Sequence, residues 1–169
     1  MSINGEYIRL TAAEWERATA DPEWALEFAE ALLDGEDEPH GEAGAPTGSR
    51  HFTTHKTWHL LEFLLARADF PVNVVHGEQP LGDADDWGYG PPRHLPADRV
   101  RLAPDALRRL TYDQLIDGVD PNDLVTAEIY PQSWPDRASL EWARDTFADL
   151  TAYLTAAAEA KDAVVVWLD

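Results

Sequence analysis

The chain has 169 residues, no cysteine and a formal net charge of -19, with 32 Asp plus Glu against 13 Lys plus Arg. Its length suits one domain, and a hydrophobic fraction of 44% with seven tryptophans supplies a packed core instead of a disordered acidic tail. The missing cysteines exclude disulfides, thiolate catalysis and iron–sulfur ligation, while the negative charge opposes binding to nucleic acid or to anionic membranes. The same charge favours encounter with a protein that presents a basic surface. No basic leader or long apolar segment opens the chain, and the aliphatic run Ala163 to Leu168 is too short to span a bilayer, so a cytoplasmic protein is expected.

Tyr7 to Leu10 reads as a short strand. Thr11 with Glu14 forms a capping box that opens a helix near Ala12, and Asp21-Pro22 is a second helix start. That second helix should stop before Gly35. Between Arg17 and Arg50 there are nine acids and no Lys or Arg, which makes this the most acidic stretch. Gly35 to Ser49, rich in Gly, Pro and acids, is expected to be an acidic mobile loop. Thr53 or Thr54 is expected to cap a mostly buried helix carrying Trp58, Leu61, Leu65 and Ala68. Val72 to His76 reads as a strand and Gly77 to Pro92 as a loop. Pro96 to Leu102 and Pro104 to Leu110 read as two short helices divided by Pro104. Thr111 with Gln114 and Asp120-Pro121 start two more, and Ile129-Tyr130-Pro131 is extended. A last helix over Arg137 to Ala160 carries Leu140, Ala143, Phe147, Leu150, Leu154 and Ala157 on one face, and the strand Val164 to Trp167 follows it. Helices dominate and the strands are short and scattered, which predicts α+β: a helix-rich single domain over 1–169, packed on a small sheet.

Few residues form a recognisable catalytic pattern. His51, His55 and His59 would share one helix face, with Glu62 close enough to complete a zinc set. A cap at Thr53 or Thr54 leaves His51 outside that helix, and Lys56 stands where a metalloprotease glutamate belongs, so no metal is expected. Asp83 to Gly88 fails as a calcium loop because Trp87 and His94 occupy ligand positions. Gly88-Tyr89-Gly90 is followed by Pro91-Pro92, which cannot open a dinucleotide-binding helix, and none of the four serines sits in a nucleophile elbow. No cofactor is expected.

Four blocks carry a family resemblance. They are Lys56-Thr57-Trp58-His59-Leu60-Leu61; Pro80-Leu81-Gly82 through Gly88-Tyr89-Gly90-Pro91-Pro92-Arg93; Ile129-Tyr130-Pro131 with Trp134; and Asp162 to Leu168. In this order they resemble the YfbM-like family of bacterial domains of unknown function. The resemblance implies a compact α+β domain and implies no reaction. Its blocks supply a candidate site: Trp58, His59, Trp87, Tyr89, Arg93, Tyr130 and Trp134. Such rings with one Arg and one His suit a binding patch or a pocket, although Trp58 and Trp134 equally suit the core. Two functions stand. One is a non-catalytic acidic protein-binding module, of the immunity type that neutralises a toxin or other basic partner. The other is a small-ligand-binding protein or enzyme with a cleft around His59, Tyr89 and Arg93.

Overall fold

Ala163–Leu168 is apolar at all six positions and forms β5, the middle strand of a five-stranded sheet. A strand covered on both faces has no solvent side, so it reads as an unbroken hydrophobic run. The computed structural model describes residues 2–36 and 49–169, so the expected acidic loop falls, from 37 to 48, outside the described residues. On one side β5 pairs with β1 (Gly5–Leu10), which pairs in turn with the edge strand β2 (His51–His55). On the other side it pairs with β4 (Arg93–Leu95), which is followed by the short edge β3 (Gln79–Pro80). Every pairing is antiparallel.

Side-chain alternation divides the sheet into two faces. Tyr7, Leu95, Val164 and Val166 point into the larger core, under α3 (Trp58–Arg67), α4 (Ala97–Val100), α5 (Ala103–Arg108), α6 (Tyr112–Ile116), α7 (Pro121–Thr126) and α8 (Arg144–Glu159). Ile8, Leu10, Val165 and Trp167 point the other way, under α1 (Ala12–Ala20), α2 (Pro22–Glu36) and the loop bearing Leu81 and Trp87. The class is α+β, as expected.

Local signals hold wherever a short-range hydrogen bond decides. Both capping boxes form: Thr11 with Glu14, and Thr111 with Gln114. Asp21 accepts from the Trp24 amide at 3.1 Å, and Asp120 caps α7 through the Asn122 amide at 2.9 Å. Pro104 sits in the first turn of α5 and separates it from α4.

Three expectations are corrected. Thr53 and Thr54 do not cap a helix: they lie in β2, and α3 begins only at Trp58. Pairing of Phe52 with Tyr7 and of His51 with Ile8 outweighs the local helical spacing. His51, His55 and His59 therefore share no helix face. Val72 to His76 is no strand, because its backbone groups find other partners: the Tyr7 hydroxyl donates to the Val74 carbonyl at 2.9 Å, and Asn73 Oδ1 accepts from the Val75 and His76 amides. The last helix is interrupted: Arg137–Ala143 is a 3-10 segment capped by Asp136, and α8 starts at Arg144.

Candidate functional site

The N-terminal turn of α3 builds an aromatic cluster. Trp58 and His59 stack with ring centres 4.6 Å apart and planes within 5°. Tyr130 lies over Trp58 at 5.9 Å, and His76 approaches the indole edge at 5.5 Å. Hydrogen bonds fix the rings to the chain beginning: Trp58 Nε1 donates to the Ile3 carbonyl, and the Ile3 amide donates to the Tyr130 hydroxyl, each at 3.0 Å. The Tyr130 amide donates to His59 Nδ1 at 2.9 Å. That nitrogen is thus the unprotonated one, and the neutral ring carries its proton on Nε2.

One turn along α3, Glu62 Oε1 lies 2.6 Å from His76 Nδ1. Glu62 also borders a cleft of about 160 Å³ whose walls include Leu65, Phe70, Val72 and Val74, with Asn73 as a second polar member. Glu62 and Asn73 are therefore the polar side chains that border this otherwise largely apolar cleft. Among the described residues, no group of three or more His, Cys, Asp or Glu is placed to hold a metal ion.

The seven sequence-selected residues do not converge. Trp58, His59 and Tyr130 come together. Trp134 is buried nearby, its Nε1 donating to the Ile129 carbonyl at 2.9 Å. Trp87 packs edge-on against Trp167 at 5.3 Å in the other core, and Tyr89 follows it with a side chain 40% exposed. The close approach there explains Gly88, since a Cβ would lie 2.6 Å from the Leu168 carbonyl oxygen. Arg93 turns to backbone, donating to the Glu78 carbonyl at 2.8 Å. The sequence pattern does not single out His76 or Trp142. Asn73 three residues before His76 is the turn signal that could have found the first. Trp142, 44% exposed, lies off the Leu140–Ala143–Phe147 stripe, which was the signal for the second.

Two histidines have depressed proton affinity. Burial pushes His59 below its ordinary value, Glu62 opposes this, and His76 adds to it. Burial likewise lowers His94, whose Nδ1, like the nearby Trp15 Nε1, has no hydrogen-bond partner among the described residues. Below about pH 6.5 the unfolded chain protonates these rings first, so folding stability is present above that pH and declines as pH falls toward the folded-state values. Urea unfolding at pH 7.5, 6.5 and 5.5 should show this decline. His59→Asn, which keeps an acceptor for the Tyr130 amide, should make it shallower; an unchanged slope would count against a depressed His59.

The charged surface has its own pattern. Glu23, Glu27, Glu30 and Asp34 recur at helical spacing on α2, and all four are exposed. Among the described residues none of them has a cation partner. The stretch from Tyr112 to Asp136 holds six acids and no Lys or Arg.

The family model described as a domain of unknown function, DUF1877, matches residues 1–167. The chain belongs to that family. The crystal structure of YfbM, a protein of unknown function from Escherichia coli, is similar to this DUF1877 chain with a TM-score of 0.62. The similarity covers 98% of this chain and 99% of that one at 17% identity, and so concerns the fold alone. No curated protein matches the chain. Among the described residues of this DUF1877 domain, no helix is long and apolar enough to cross a membrane.

Proposed function

We propose that this DUF1877 domain is a non-catalytic protein-binding module whose acidic surface meets a basic partner. The observation that carries the reading is the α2 stripe. Neighbouring acids four apart repel one another by about 0.2–0.5 kcal/mol per pair. Glu30 and Asp34 also stand toward the helix C-terminus, where no basic residue offsets them and the macrodipole disfavours negative charge by about 0.3–1 kcal/mol each. The stripe works against the stability of its own helix, and a basic protein would relieve it.

The double substitution Glu30→Lys with Asp34→Lys separates the two roles. Unfolding free energy is expected to rise by about 1 kcal/mol. Affinity for the principal protein captured from the producing cells, then purified and titrated, is expected to fall more than about tenfold and to lose salt dependence. Gained stability with unaltered affinity would sink the reading. The narrower form, an immunity-type protein that neutralises a toxin, requires the captured partner to be toxic alone and harmless when both are expressed.

A second reading, a small-ligand site, is supported by the Glu62–His76 pair beside the α3 cleft. It draws on His59 but not on Tyr89, whose loop packs on the other face. Thermal shifts with a metabolite panel that persist unchanged in His76→Ala and Glu62→Gln would refute it.

A further inference from the structure

We infer that Trp142, on the face formed by α7 and the 3-10 segment, is the anchor where an arginine-bearing segment of the basic partner docks. This rests on the reading above and adds a second contact, separate from the α2 stripe. One exposed apolar side chain on a soluble protein means little. Trp142 differs in its support and its surroundings. Leu140 and Ala143 on the same segment are fully buried, which fixes the backbone beneath it. Its ring leans on Trp134 at 6.1 Å, and Trp134 is itself buried and hydrogen-bonded. The exposed indole is therefore held rigid, which lowers the conformational entropy lost when a partner covers it.

The adjoining surface selects the partner's chemistry. α7 packs against the 3-10 segment and exposes Val125 at 54%. The same two elements and their connections expose Asp117, Asp120, Asp123, Glu128 and Asp136. The cations of this region are already engaged. Arg137 donates to the Val119 carbonyl at 3.3 Å, and Arg144 pairs with Asp113 and Glu141, both at 2.6 Å. An exposed ring on elements that also expose carboxylates suits a cationic group that also has a flat, weakly hydrated face. Arginine has one and lysine does not. The molecule already makes this contact: Arg144 lies over the Tyr112 ring at 4.9 Å while its two carboxylate partners hold it. Arg17 over Trp24 at 4.3 Å is a second instance. Trp142 presents the aromatic half of the same arrangement, with its own arginine supplied from outside.

The test titrates the ¹⁵N-labelled full chain with two synthetic helical peptides, identical except that one bears arginines and the other lysines. The seven tryptophans give separable indole N–H signals, and Trp142→Phe identifies the one from position 142. The arginine peptide is expected to shift that signal most and to bind several-fold tighter than the lysine peptide. Trp142→Ala should weaken it at least about tenfold while the circular-dichroism spectrum stays that of the folded parent, and Glu30→Lys with Asp34→Lys should leave most of the affinity. Binding that survives Trp142→Ala but disappears in the α2 variant overturns this inference and leaves the acidic-module reading standing. If neither peptide binds even at low salt, the inference also falls, and the capture experiment decides the broader reading by itself.

Discussion

Trp58→Ala is expected to lower the unfolding free energy by about 3–5 kcal/mol, the range for removing a large buried aromatic side chain. Sequence leaves Trp58 open between core and binding patch; its environment does not. The residue is 7% exposed, its Cβ faces Gly5 across β1, and its indole nitrogen holds the Ile3 carbonyl. Alanine would open a cavity, orphan that carbonyl and remove the surface on which His59, His76 and Tyr130 rest. Trp58→Phe keeps most of the volume but not the hydrogen bond, so a smaller loss of about 1–2 kcal/mol is expected. Urea unfolding followed by circular dichroism measures both. An alanine variant within about 1 kcal/mol of the parent would mean that Trp58 is a surface binding residue and not part of the core.

The residues legible from sequence are those whose structure is decided nearby. Thr11 with Glu14, Asp21 with Trp24 and Thr111 with Gln114 close their hydrogen bonds within three residues, and each starts a helix where expected. The β5 run is legible because burial on both faces leaves a hydrophobic sequence without interruption. β2 is not. His51 to His55 precedes a strongly helical pattern, and only the pairing with β1, more than forty residues earlier, makes it a strand. Val72 to Val75 fails in the opposite direction: it has strand composition, but a tyrosine hydroxyl from β1 takes its carbonyls. The candidate site suffers from the same long-range dependence. Gly88 and Gly90 make Trp87 look like a displayed loop ring, whereas Gly88 lets the loop press against the end of β5, where Trp87 meets Trp167. Charge is the feature that sequence expresses best in bulk and worst in place. The count of acids is immediate, but the α2 stripe and the exposed acids on the elements beside Trp142 become surfaces only once the helices are positioned.

Asp162→Ala is expected to cost about 2–3 kcal/mol, because it removes the carboxylate partner of a largely buried guanidinium. Arg9 Nε lies 3.1 Å from Asp162 Oδ2, with the two side chains only 12% and 10% exposed. This pair differs from Arg108–Asp105, whose exposed groups should contribute less than about 1 kcal/mol. Its position gives it leverage. Asp162 lies between α8 and β5, its amide bonds to the Ala157 carbonyl at 2.9 Å, and Lys161 before it has a positive φ of 60°. Arg9, opposite Val164 in the sheet, thus clamps the turn that feeds the central strand. The double variant Arg9→Met with Asp162→Ala removes both charges, so it should recover most of the loss suffered by Asp162→Ala alone. Recovery would locate the cost of the single change in an uncompensated charge. If the double variant is no more stable than the single one, the pair contributes through geometry, by holding the α8–β5 turn in register.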